Sequence, residues 1–482
     1  MRKAGILLAV CSLPSKHGIG DFGPSAFEWV DLLKESNVKI WQILPLNPLG
    51  YGNSPYQPYS SYAMDDLYIS LEVLKKEKLI KKCPSFNARK DAVDYEAVRL
   101  FKKPYLEEAF SNFVPNKDYE DFVNLGWVKR YAMFLACKKH NGLRCWLEWE
   151  AVYQNWIDGD QKDYLGLDEA VQYECFVQYI LMKQWKQLKA YANSCGVEIM
   201  GDLPIYVGID SEDVWSHQRH FLLDDKKHPS FIAGVPPDYF SATGQRWGNP
   251  IYDWEYMEKQ GFDFWLERLS YSKELYDIIR IDHFRAFDTY WKIPASCPTA
   301  VEGEWIEAPG YALFDTIYKE LPDIHIVAED LGDLRPEVLE LRDHYNLKGM
   351  KVVQFTFNPK DKIPHKDDKE CSICYTGTHD NDTMMGWYAQ MSPLQKRQTT
   401  RFMSKYGFDG EKMYHRFVQF TLAQKADFAI LPMQDVLGLK SVARMNVPGT
   451  IGTPNWEWKL KDFEGYKKEM AFLKEQITKY NR

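Results

Sequence analysis

The chain has 482 residues, 45% hydrophobic and 27% charged, which is the balance of an ordinary water-soluble enzyme, and no apolar run approaches the length of a bilayer span. A formal net charge of −8 leaves no basic footprint for nucleic acid and no polybasic patch for a membrane surface, so partners of both kinds are disfavoured. Nine cysteines without a repeating framework suit a reducing compartment, and 16 Trp, 30 Tyr and 26 Phe supply flat apolar faces of the kind that stack on sugar rings.

The first residues, MRKAGILLAVCSLPSKHGIGDFG, carry three competing signals. Arg2 and Lys3 before an apolar run suggest a signal peptide, but the run is short and meets Pro14 without a small-x-small cleavage site. Cys11 after Leu7, Leu8, Ala9 and Val10 suggests a lipoprotein site. Gly18, Gly20 and Gly23 spell the G-x-G-x-x-G of a dinucleotide-binding turn, yet seven residues separate them from the strand, and the next strand ends in Leu44 and Pro45 instead of an acid. The stretch reads best as an apolar strand, a loop, and a helix opened by a capping box from Ser25 to Glu28 and running to about Lys34.

Farther along, strands are expected at 38–44, 197–202, 277–282, 324–329, 351–357 and 373–378, with a long helix from Asp168 to a stop at Cys195 and Gly196. Strands alternating with helices are the rhythm of a parallel α/β protein. Residues from about 65 to 166 break that rhythm with helical patterns at 95–113 and 119–139, and read as a mainly helical insertion. A second insertion, about 205–270, contains a Pro-, Gly- and aromatic-rich stretch at 234–250 that reads as a long loop of functional rather than connecting character. No repeat or linker divides the chain, so 1–482 is expected to be one catalytic unit carrying both insertions. Cys371 and Cys374 lack the second pair of a zinc site and the following helix of a redox motif, and are read as ordinary thiols.

Four expected strands finish in an acid: Asp202 in GDLPIYV, Asp282 in RIDHFR, Glu329 in AEDLG and Asp380 in TGTHDND. In a parallel barrel such ends converge on one face, where substrates bind. The intervals of 47 and 51 residues between the last three read as one enlarged and two compact strand–helix units, against roughly 30 residues per unit. Singly, each acid is more often a cap or an ion-pair partner, and Arg280 and Asp282, two apart on one strand face, could be a structural pair. Convergence favours chemistry: the arginine would hold Asp282 ionised as a nucleophile, and the apolar neighbours Val327 and Ala328 would raise Glu329 as a general acid. Two chemistries use such a cluster. One is a divalent-metal hydrolase with Asp282, His283, Glu329, Asp330, His379 and Asp380 as ligands, weakened by the absence of H-x-H and H-E-x-x-H patterns. The other is glycoside chemistry on paired carboxylates.

SPYQPYSSYA (54–63), GDLPIYV (201–207), RIDHFRAF (280–287), AEDLG (328–332), TGTHDND (376–382), RMNVPGT (444–450) and NWEW (455–458), in this order, resemble the 4-α-glucanotransferases called amylomaltases or disproportionating enzymes, and cover essentially the whole chain. The resemblance implies a retaining α-glucanotransferase on a (β/α)8 TIM barrel with a helical insertion and long active-site loops. It implies Asp282 as the nucleophile, Glu329 as acid and then base, and Asp380 as the third carboxylate, holding ring hydroxyls of the distorted sugar. Arg280 would orient Asp282. Ser54, Tyr56, Asp202, His283, His379 and Asn446 would line the sugar site, with Gln245 and Trp247 on a loop that folds over it. Retention predicts carboxyl groups of Asp282 and Glu329 about 5 to 5.5 Å apart. Transfer requires that water be kept from the glycosyl-enzyme, and the stretch 236–250, with Tyr239, Phe240 and Trp247, is the expected cover.

The resemblance implies no metal and no organic cofactor, an α-1,4-glucan donor with a glucose or maltooligosaccharide acceptor, and no nucleic-acid or membrane partner; it sets no oligomeric state. Because the opening residues match the family's entry into the barrel, a cytoplasmic protein that keeps its N-terminus is expected, with Cys11 semi-buried. An α-amylase-type hydrolase is the enzyme alternative. A non-catalytic glucan-binding homologue would lack at least one of the three carboxylates.

Overall fold

The computed structural model describes residues 2–87, 89–237, 241–364 and 369–482. Its strands are β1 (Lys3–Leu7), β2 (Ile40–Gln42), β3 (Glu198–Leu203), β4 (Phe231–Val235), β5 (Gln245–Pro250), β6 (Ile278–Ile281), β7 (Thr289–Pro294), β8 (Glu304–Glu307), β9 (Ile326–Ala328), β10 (Gly349–Val352), β11 (Ser372–Tyr375) and β12 (Phe428–Pro432). Eight of them form one parallel sheet in the order β10-β11-β12-β1-β2-β3-β6-β9. A parallel bridge between Val327 and Lys348, with the Ala328 N–H donating to the Lys348 carbonyl at 3.0 Å, brings the two edges together into a (β/α)8 barrel. Barrel strands have side chains buried on both faces, which is why they read as short apolar runs such as FAILP in β12, where all five residues are buried.

Several expected elements change on folding. The strand expected over 351–357 ends at Val352 and continues as one helical turn, Val353–Thr356. Strand β12 carries no distinct sequence signal, because so short an apolar run cannot be told from a piece of buried helix by periodicity alone. The helix after β1 runs Pro24–Glu35 with Gly23 as its N-cap and no side-chain cap, so Ser25 sits in its first turn and forms no capping box. A proline at the first helical position has its φ preset and loses no intrahelical bond. The single helix expected at 119–139 is two, Lys117–Val123 and Gly126–His140.

The three glycines of GIGDFG belong to the crossover from β1 to that helix. A side chain at Gly20 would put its Cβ 2.0 Å from the Val10 carbonyl oxygen, so the glycine serves close packing of this loop against the strand exit. Between β2 and β3 the described residues form helices, ending in the 27-residue helix Asp168–Ser194.

A second, antiparallel sheet, β5-β4-β7-β8, takes the place of the loop expected at 234–250. It is inserted among the barrel units, with β4 and β5 between β3 and β6, and β7 and β8 between β6 and β9. Tyr239 and Phe240, expected as part of the cover, lie outside the described residues. Among the described residues no helix is long and apolar enough to cross a membrane, and the nine cysteines are free thiols.

Candidate active site

Barrel register sets the floor of the site. Asp202 on β3 pairs with Arg280 on β6, and parallel neighbours in register direct their side chains to the same face. One guanidinium nitrogen of Arg280, Nη1, donates to both oxygens of Asp202, at 2.6 and 2.7 Å, and more weakly to Asp282 Oδ1 at 3.1 Å. Asp202 and Arg280 are 0% and 4% exposed, whereas the Asp282 side chain is 32% exposed and faces the cleft. The Tyr56 hydroxyl donates to Asp202 Oδ2 at 2.8 Å from the loop that follows β2. The arginine is therefore shared, and its tighter partner is Asp202.

After Asp282 the chain turns through His283 at φ 53°, ψ 51°, a left-handed conformation that costs a non-glycine residue on the order of 1 kcal/mol. That turn aims the His283 N–H at Glu329 Oε2, 2.7 Å away at the end of β9. The Phe284 N–H then donates to the Glu329 carbonyl at 2.9 Å, and the Leu331 N–H to Glu329 Oε1 at 3.3 Å. Two backbone N–H groups of the nucleophile candidate's turn thus bind Glu329, one at its side chain and one at its carbonyl. Asp330, adjacent in sequence, turns away and accepts from Arg342 and the Met350 N–H.

Burial, opposed by Arg280 and reinforced by Asp202, pushes the Asp282 carboxyl up to about 6. Arg280 is expected to hold Asp282 ionised; it is largely engaged by Asp202, so desolvation outweighs its pull, and the carboxyl is raised yet still ionised at neutral pH. Burial and the nearby charge of Asp282 push Glu329 higher, to about 8. Asp282 loses its proton first, and the pair divides into one carboxylate and one carboxylic acid at neutral pH. Burial pushes His283 down to about 4, leaving it neutral, and drives the Tyr56 hydroxyl well above its usual range.

The other wall follows β11. Asp380 Oδ1 accepts from Asn446 Nδ2 at 2.6 Å, its carbonyl accepts from Arg444 at 2.6 Å, and His379 Nε2 lies 3.5 Å from Asp380 Oδ2. The His379 ring stacks on Tyr56 at 5.0 Å and 14°, and Trp456 packs against both. On the opposite side, Trp247 of β5 meets the His283 ring edge-on at 4.9 Å and donates through Nε1 to Gln245 at 3.2 Å. Gln245 is itself exposed, and the Ser54 hydroxyl accepts from the Tyr56 N–H at 3.3 Å, shaping the loop that presents the tyrosine.

Three contributors were missed from sequence. Arg444 and Trp456 lie inside RMNVPGT and NWEW, where the sequence pattern assigns these two residues no role. Asp435, just past the unrecognised β12, is buried and pushed up to about 6 by desolvation. It accepts from Thr376 Oγ1 at 2.5 Å and the Met384 N–H at 2.7 Å, anchoring the loop that carries His379 and Asp380. Among the described residues no group of three or more His, Cys, Asp or Glu side chains could hold a metal ion.

Fold and site together define a (β/α)8-barrel enzyme with a carboxylate-centred, aromatic-walled cleft. Comparison with known proteins narrows the class. The 4-alpha-glucanotransferase family profile matches residues 8–464. The 4-alpha-glucanotransferase of Streptococcus pneumoniae is 40% identical over 479 residues, covering 96% of this chain and 94% of the relative, and that of Thermus thermophilus is 41% identical, covering 95% of each. The amylomaltase from Streptococcus agalactiae, solved in complex with acarbose, superposes with a TM-score of 0.94 at 37% identity over 100% of both chains. The chain belongs to the 4-alpha-glucanotransferase family. It is a glycosyltransferase-type enzyme, and its activity is transfer rather than hydrolysis.

Proposed function

We propose that this enzyme moves α-1,4-glucan segments between maltooligosaccharides, or onto glucose, by a double displacement with retention. Asp282 attacks the anomeric carbon as the Glu329 proton passes to the departing glycosidic oxygen, giving a glycosyl-enzyme and a free reducing-end segment. A 4-hydroxyl of the acceptor then attacks that carbon, Glu329 takes its proton, and Asp282 departs. The observation that carries the reading is the placement of the two carboxyls on neighbouring strand exits, where the His283 N–H that follows Asp282 donates to Glu329 Oε2 at 2.7 Å; burial and the charge of Asp282 push Glu329 above Asp282, which supplies both required forms near pH 7.

In this reading Asp380, oriented by Asn446 and Arg444, grips ring hydroxyls of the sugar being distorted. Arg280 and Asp202 position Asp282, and Tyr56 anchors Asp202. Neutral His283 contacts hydroxyls, as does His379, Ser54 sets the rim, and Gln245 with Trp247 covers the cleft. Trp247, packed edge-on against His283, is the described part of the cover that keeps water from the intermediate.

We also take the stretches 65–166 and 205–270 as insertions into one catalytic unit, and the free thiols as those of a cytoplasmic protein. The test is the product profile from maltotriose. Transfer gives glucose together with maltopentaose and longer chains, and Asp282→Asn gives neither. Shorter products alone would overturn the reading in favour of a hydrolase.

A further inference from the structure

Of the sixteen tryptophans, fifteen are buried or half-buried; Trp305, on β8, is 39% exposed. It joins none of the hydrophobic clusters formed by the described residues, so core packing does not account for it. It is nevertheless braced. Trp291, directly opposite on β7, meets it edge-on at 5.2 Å and 61°, and is itself fixed by donating Nε1 to the Ala300 carbonyl at 2.9 Å. The Arg285 guanidinium lies 3.9 Å from the Trp305 ring centroid.

Arg285 ties this indole to the chemistry. It belongs to the turn Phe284–Phe287, which begins two residues after Asp282, and its Nη1 donates to the carbonyl of Asp333, four residues past Glu329. The exposed ring therefore stands beside the exits of β6 and β9, the strands that deliver the two catalytic candidates. An indole held rigid by a guanidinium stacked over its ring, and still partly exposed, presents flat apolar surface that suits the C–H face of a glucose ring, while the guanidinium offers donors to hydroxyls. An uncharged polymer of glucose matches that chemistry, and the link through Arg285 to the exits of β6 and β9 supplies the direction from which it comes.

We propose that Trp305, braced by Arg285 and Trp291, is a stacking platform for the α-1,4-glucan chain where it leaves the cleft, touching rings beyond those at the cleaved bond. The proposal rests on the reading of the cleft given under Proposed function. Its consequence is a preference for long chains over short ones that is set outside the catalytic centre.

The experiment compares kcat/KM for maltotriose and maltoheptaose in the wild-type enzyme, Trp305→Ala and Trp305→Phe. Trp305→Leu keeps an apolar side chain without a flat ring and serves where the alanine variant is unstable. The platform requires the ratio of maltoheptaose to maltotriose kcat/KM to fall about tenfold in the alanine or leucine variant, equivalent to about 1.4 kcal/mol, through KM, and to recover in phenylalanine. Equal losses on both substrates mean that Trp305 only supports the Arg285 turn, and no loss means it does neither; each overturns the platform. Maltotriose disproportionation by the wild-type enzyme tests the cleft itself. Its absence would sink the underlying reading, while its presence with an unmoved ratio would sink the platform alone.

Discussion

Replacing Glu329 by Gln removes the proposed proton donor while leaving the linkage from Asp282 through Arg280 to Asp202 intact. In the wild-type enzyme Asp282 must be ionised and Glu329 protonated, so kcat/KM should rise with pH through about 6 and fall through about 8. At pH 7 Asp282 is the group that has lost its proton and Glu329 the one that keeps it, so the working combination prevails there. In Glu329→Gln the falling limb should vanish and kcat should drop by roughly 10²–10⁴, about 3–5 kcal/mol of transition-state stabilisation. Initial glucose release from maltotriose, followed from pH 5 to 9, reads both effects. An α-maltosyl fluoride donor adds a control, since fluoride departs without a proton, and a stoichiometric burst of fluoride should survive the substitution. A falling limb that persists near pH 8 in the variant, or a burst lost in proportion to the maltotriose rate, would refute the assignment.

The same residue makes a stability prediction of definite sign. Its folded pKa lies above the unfolded value of 4.5, so the folded protein keeps a proton that the unfolded chain releases, and stability is lost as pH rises from there through about 8. Thermal melts at pH 5 and 9 should show Glu329→Gln gaining on the wild-type enzyme at the higher pH; a gap independent of pH would contradict the buried-acid picture. Trp247→Ala strips described cover from the cleft and should raise hydrolysis relative to transfer several-fold, read as free glucose formed against maltopentaose and longer products from maltotriose. Gly5→Ala would set a Cβ 2.4 Å from Ile430 Cδ1 and 2.9 Å from Ile40 Cβ, inside the barrel wall. Such overpacking costs roughly 1–3 kcal/mol, so the urea midpoint should fall, and an unchanged midpoint would show that these strands can part freely.

Most of the barrel was legible because its strands are apolar runs separated by helical periodicity, and because Asp202, Asp282, Glu329 and Asp380 sit at or just beyond strand ends, where parallel topology must gather them. Strand β12 was not, since nothing local distinguishes FAILP from buried helix, and with it went Asp435. The stretch 234–250 kept its strands hidden for another reason: Gly234 and Trp291 are 57 residues apart, and only their pairing turns a Pro- and Gly-rich segment into one side of a sheet.

The amino-acid order alone determined the family motifs, the four acids at strand ends and the net charge of −8. Tertiary structure decided how those groups share their charges. Arg280 is two residues from Asp282 in the chain, yet its shorter bonds go to Asp202, 78 positions away. Proton affinity depends on burial and on distances to every neighbouring charge, and these exist only once the strands stand side by side.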